Sequence, residues 1–131
     1  MKLTTEQQAS ATKRLRETPE ICAAFLHGSA AAGKMRPDSD VDIAVLPMSG
    51  ETTDVKTRLR LAGDLEQIFE RTADIGILST NNLIYAKEVV EHGLPLFTKN
   101  KFSSDSFIMH CLSMYADLQE SRKEVIHAYT A

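Results

Sequence analysis

HGSAAAGKMRPDSDVDIAVL, residues 27–46, sets a glycine-serine pair and three alanines ahead of two aspartates that alternate with aliphatic side chains. In SDVDIAVL, Val41, Ile43 and Val45 fall on one face and Asp40, Asp42, Ala44 and Leu46 on the other. That period of two predicts a strand, with Pro47 and Gly50 ending it. Just upstream, ICAAFLHGS (21–29) is short and apolar and stops at Gly28-Ser29, so it reads as a buried strand running into a turn. Two carboxylates leaving one strand face side by side repel each other and lose hydration. A fold keeps such a pair where a cation sits between them.

The flanking sequence supplies the rest of a fold. Thr5 to Glu17 is polar and helix-favouring, with Thr4 or Thr5 as N-cap and Pro19 beyond its end, which suggests a solvated lead-in helix. From Asp54, a candidate N-cap, to about Arg71 the residues Val55, Leu59, Ala62, Leu65, Ile68 and Phe69 mark one helical face. Gly63 inside it costs about 1 kcal/mol relative to alanine. ADIGILS (73–79) predicts a third strand, with Asp74, Gly76 and Leu78 facing one way and Ile75 and Ile77 the other. A helix follows from about Asn81 to His92, closed by Gly93 as a C-terminal glycine cap ahead of Pro95. LPLFTK (94–99) fits an edge strand, because proline has no N–H for a central ladder. A long helix runs from Ser104 or Asp105 toward Tyr129. The fold class is therefore α/β (α+β), a small mixed sheet with helices packed on it. One domain spans 1–131, with a core over about 21–100 and a C-terminal helix over about 104–129.

Composition narrows what such a domain does. With 131 residues there is no room for a second, substrate-binding domain, so the chemistry falls to one small site. A chain 43% hydrophobic and 25% charged, with net charge −3, is an ordinary globular protein and is not built for broad electrostatic capture of nucleic acid. Cys22 and Cys111 lack metal-ligand spacing and sit in apolar runs, so they read as buried free thiols, which suits a reducing cytoplasm. MKLTTEQQAS has no apolar export segment, and no stretch approaches the roughly 20 apolar residues of a membrane span. A cytoplasmic protein without membrane or direct nucleic-acid binding is expected.

The chemistry concentrates in the opening stretch. Oxygen-only ligands at Asp40 and Asp42 select a hard ion such as magnesium, usually completed by waters and substrate phosphates. Asp74 offers a third carboxylate, and three such groups can hold two ions about 3.5–4 Å apart for phosphoryl-group displacement. Gly28 lets backbone approach a phosphate, and Ser29 adds a hydroxyl at the start of a short helix. Lys34 and Arg36 fall between the two halves and can neutralise a triphosphate, and Arg36 and Ser39 complete the nucleotide-binding candidates. Taken singly, a Gly-Ser turn is a common strand exit and an Asp-x-Asp pair a common cap. Together with a third strand-borne aspartate they are hard to explain structurally, because buried-face carboxylates need compensation. His27 reads as packed, and His92, His110 and His127 as surface residues. Of Tyr85, Tyr115 and Tyr129, the last is the best placed for self-modification.

Gly28-Ser29, ten residues, then Asp40-Val41-Asp42 resembles the signature of the DNA polymerase beta-type nucleotidyltransferase superfamily, and RPDSDVDIAV (36–45) is close to its usual wording. The short chain is similar to the minimal nucleotidyltransferases, commonly the antitoxin beside a HEPN-domain ribonuclease toxin. EVVEHGLPLF (88–97) and YADL (115–118) look like that group's tail, so the likeness runs from about Ile21 to Leu118. The resemblance implies a polymerase beta-like fold, magnesium on Asp40 and Asp42, and Asp74 completing the site and helping to activate the attacking hydroxyl. It implies that Gly28 and Ser29 hold the phosphates of ATP, and that AMP passes to a tyrosine of the toxin. Ala32 departs from it, since many relatives carry arginine there, as do Gly76 and Ile77, where many carry aliphatics and an acid. Two other readings stay open: an antitoxin acting by stoichiometric contact, and a small-molecule transferase of the aminoglycoside type. The first is disfavoured by the presence of all three aspartates, the second by the lack of an added acceptor domain.

Overall fold

The sheet is built outward from the two strands that flank the opening stretch. In the computed structural model, which describes residues 2–49 and 53–130, β1 (Ile21–His27) pairs antiparallel with β2 (Val41–Pro47). β3 (Ala73–Ile77) lies parallel to β2 on one side, and β4 (Leu94–Thr98) antiparallel to β1 on the other. Among the described residues the sheet is four-stranded, in the order β3-β2-β1-β4. Pro95 takes the expected edge position, and the β1–β4 register slips between Ala24 and Phe25, where the pairing steps over Leu96. The expected stop at Gly50 lies outside the described residues.

Helices cover both faces. On one face, α1 (Thr5–Arg16) and α3 (Val55–Phe69) enclose Val41, Ile43 and Val45, all fully buried, together with Leu26 and Ile75. On the other, α4 (Leu83–His92) and α5 (Lys101–Thr130) cover Phe25, Ala44, Leu46 and Leu78. The alternation read from residues 40–46 therefore sorts side chains between two separate cores. No helix among the described residues is long and apolar enough to cross a membrane.

Several local expectations are corrected. α1 is no solvated lead-in. Thr4 Oγ1 accepts from Gln7 N and Gln7 Oε1 from Thr4 N, both at 3.0 Å, forming a capping box. Ala11 and Leu15, one turn apart, are fully buried, and Arg14 Nε meets Asp64 Oδ2 of α3 at 2.7 Å. Two small contact points on an otherwise polar helix are too weak a pattern to announce burial.

In α3 the buried residues are Leu61, Leu65 and Phe69, while Val55 and Leu59 are 68% and 69% exposed, beside β3 at the sheet edge. The helix guards that edge with side chains. Arg58 Nη2 donates to Ile75 O at 2.7 Å, and Glu66 Oε1 accepts from Ala73 N at 3.3 Å. Gly93 caps α4 as expected, its N–H donating to Val89 O at 2.7 Å; its backbone is extended, and a Cβ there would stand 2.5 Å from that oxygen. It is glycine because α4 turns hard against its own last carbonyls.

α5 begins at Lys101, earlier than expected, because Asn100 Oδ1 accepts from Ser103 N at 3.0 Å and supplies the cap. Its thirty residues reach about 45 Å. Residues 121–130 are exposed throughout. Cys22 and Cys111 are free and buried, the latter on the inner face of α5. If α1 is part of the core, Leu15→Ala should lower stability by about 2–5 kcal/mol in urea unfolding, the usual cost of emptying a buried leucine site.

Candidate active site

The site forms where β1 ends and β2 and β3 begin. The registers set His27 of β1 opposite Asp42 of β2, and Asp42 opposite Asp74 of β3, so the three side chains stand abreast on the α4 side of the sheet. At that point β1 breaks into the short helix α2 (Gly28–Ala32). Gly28 has φ +67, in the left-handed region. A Cβ there would also stand 2.5 Å from Asp42 Oδ2. The Gly-Ser turn and the Asp42 carboxylate therefore share one small space, and only glycine leaves room for both. Gly33, with φ +70, ends α2 and turns the chain into the connecting loop.

The predicted residues are not all alike in position. Asp42 is half-buried in the ladder, whereas Asp40 precedes the first paired residue of β2 and is exposed, as is Asp74. Burial raises the Asp42 pKa above the ordinary carboxylate range, and Asp74 and then Asp40 raise it further, while His27 pulls it down. Asp74 is thus a stronger electrostatic neighbour of Asp42 than Asp40 is. Ser39 Oγ accepts from Arg36 N at 2.8 Å, and Ser39 N donates to Arg36 O at 3.0 Å. That pair closes a tight turn before Asp40, leaving the Arg36 side chain exposed; Lys34 is exposed as well.

Three further residues belong to this neighbourhood, of which Tyr85 and Arg71 were not read as site residues from the sequence. Tyr85 of α4 places its hydroxyl in the notch left by Gly76, where a Cβ would run into Tyr85 Oη. Gly76 therefore makes room for a tyrosine instead of leaving the sheet face open. The Tyr85 ring meets His27 edge-on, with centroids 5.8 Å apart and planes at 89°. Burial, Asp42 and Asp74 raise the Tyr85 pKa, against a smaller opposite effect of Arg58, so the phenol stays protonated beside the carboxylates. His27 Nδ1 is buried with no hydrogen-bond partner among the described residues. Arg71 grips the turn before Asp40. His27 was legible from its place at a strand end beside Gly-Ser. Tyr85 and Arg71 arrive from distant elements and left no local signal.

The donor set can be tested against a metal. Among the described residues no three acidic, histidine or cysteine side chains are gathered into a ready cage. Asp42 and Asp74 nonetheless set like charges side by side, a cost that a hard cation relieves, with Asp40 close by. Magnesium takes few protein ligands and completes its shell with water and phosphate, so these oxygens fit it.

A mixed sheet that aims paired aspartates at a glycine-serine turn is the frame of a nucleotidyltransferase. The family model described as polymerase beta, nucleotidyltransferase matches residues 10–102, and this chain belongs to that family. It is 30% identical over 115 residues to the protein adenylyltransferase MntA of Shewanella oneidensis, covering 87% of this chain and 81% of that one. A crystal structure of a toxin-antitoxin with AMP-PNP superposes with TM-score 0.77 at 29% identity, covering 98% of this chain and 100% of the other. A tri-AMPylated Shewanella oneidensis HEPN toxin in complex with its MNT antitoxin gives TM-score 0.72 at 27% identity, over 95% of this chain and 97% of that one.

The raised pKa of Asp42 has a consequence for stability. Between the unfolded and the raised folded value the native state binds more protons than the unfolded chain, so Asp42 destabilises the fold as pH rises through that window. Asp42→Asn should therefore raise Tm at neutral pH in the presence of a chelator. The gain should vanish on acidification below the ordinary carboxylate range, as followed by thermal unfolding across pH.

Proposed function

We propose that this nucleotidyltransferase is the antitoxin of a toxin-antitoxin pair and transfers AMP from ATP to a tyrosine hydroxyl of a HEPN ribonuclease partner, silencing it. The observation that carries the reading is the pairing of Asp42 and Asp74 in register, with the Gly28-Ser29 turn packed against Asp42. Nucleotide phosphates and acceptor hydroxyl then meet at one mouth. The relatives support the choice of acceptor and donor, one being a complex with an AMPylated toxin and another a complex with an ATP analogue. The name of the 30% identical relative, protein adenylyltransferase MntA, points the same way.

The Gly28-Ser29 backbone and hydroxyl hold the triphosphate, with Arg36 from the loop as an added cation. Asp40, Asp42 and Asp74 are the oxygen donors for two magnesium ions, which when bound neutralise the triphosphate and ease deprotonation of the acceptor. Asp74, at the exposed edge of the row, takes up the tyrosine proton. The phenolate oxygen bonds to the α-phosphorus, the bond from that phosphorus to the bridging oxygen breaks, and pyrophosphate leaves. Catalysis here is positioning and charge stabilisation, which suits so small a domain. The exposed apolar side chains of α5, among them Met109, Val125, Ile126 and Tyr129, favour a protein partner over a free small-molecule acceptor.

Intact-mass spectrometry of the neighbouring gene's product tests this after incubation with the chain, magnesium and each ribonucleoside triphosphate in turn. Adenylyl increments with ATP, lost with Asp42→Asn or Asp74→Asn in folded protein, are the expected result. A tight complex without any mass change would overturn transfer in favour of inhibition by contact.

A further inference from the structure

The loop that carries Asp40 is held by an arginine that lies outside the signature. α3 ends at Phe69, and Glu70 adopts φ +57, a left-handed conformation uncommon for a residue with a side chain. After this turn Arg71 and Thr72 meet the segment before β2. Arg71 Nη1 donates to the carbonyl oxygens of Arg36 and Ser39, at 3.0 and 3.2 Å. Thr72 O accepts from Val41 N at 2.9 Å.

Asp40 is thereby bracketed. The peptide before it is held by Arg71 and the peptide after it by Thr72, and Asp74 follows two residues further along the same chain. Asp40 needs such support because the β2 ladder begins only at Val41, whose N–H to Thr72 O is its first rung, so strand pairing holds the peptide after Asp40 and not the one before it. Ser39 turns inward to close the same loop, and Met35 anchors it in the core at 5% exposure.

We propose that Arg71 is a positioning residue: by tying the 36–39 turn to the start of β3, it sets where Asp40 stands relative to Asp42 and Asp74. This rests on the reading that these aspartates hold the cation with the nucleotide. Both hydrogen bonds leave a single guanidinium nitrogen whose directions the planar group fixes. A lysine ammonium reaches the same carbonyls from a flexible stem without that fixed direction.

The test uses the full chain and Mn2+ as probe, titrated calorimetrically in the presence of a non-hydrolysable ATP analogue, with thermal unfolding measured without metal. Arg71→Met should weaken Mn2+ binding about tenfold, the scale on which outer partners of metal ligands act, while the metal-free Tm stays near that of the native chain. Arg71→Lys should fall between the two. Native Mn2+ affinity in folded Arg71→Met overturns the proposal. Should that variant fail to fold, native affinity in Arg71→Lys overturns it instead, and a weakened one supports it. If the native chain binds Mn2+ but modifies no partner, the acceptor assignment fails while the Arg71 result still stands by itself.

Discussion

Asp42 is a carboxylate fixed by strand pairing between a histidine and a second carboxylate, half out of water. Because its backbone is a rung of the ladder, its Cβ is held beside that of Asp74 and the two carboxylates stay neighbours. Its neighbours are shaped by that fact. Gly28 lacks a side chain because one would strike the carboxylate, and Gly76 because Tyr85 needs the space beside the pair. The Gly28-Ser29 turn sits where it does because β1, antiparallel to β2, ends at the point where β2 starts.

The two faces of the sheet divide the labour. Under α1 and α3 the apolar rows run unbroken from Leu26 and Ile43 to Leu65 and Phe69, and that side holds the sheet rigid. On the other face α4 and α5 cover the inner rows, Ala44 and Leu46, and Tyr85 of α4 reaches the outer row, where it packs on His27 while Asp74 stays exposed. Rigid backing on one side with a partly open rim on the other is what a site made of fixed charges requires. The edge of β3 is closed by Arg58 and Glu66, so the strand that bears Asp74 is not an open template for another strand.

Much of this was legible because a period of two is hard to mistake. Residues 41–46 assigned their own faces, and the Gly-Ser and aspartate spacing resembled a family to which the chain proves to belong. Burial of α1 was misread because its buried residues are just Ala11 and Leu15, on an otherwise polar helix. The stripe on α3 was turned too far toward Val55 and Leu59, since periodicity does not report where a narrow sheet ends. Gly93 was legible as the cap of α4, but the reason it is glycine, the nearness of Val89 O to an extended backbone, was not.

The sequence by itself determined the strands, the turn residues and the acidic positions, because those follow from local spacing and from the conformations glycine and proline allow. Only the tertiary structure decided that Asp42 stands between His27 and Asp74, that Tyr85 fills the notch at Gly76, and that Arg71 clasps the turn before Asp40. Those contacts join residues on different strands, helices and loops. Register and packing, set by the whole sheet and its two cores, create them, and no short window of sequence encodes either.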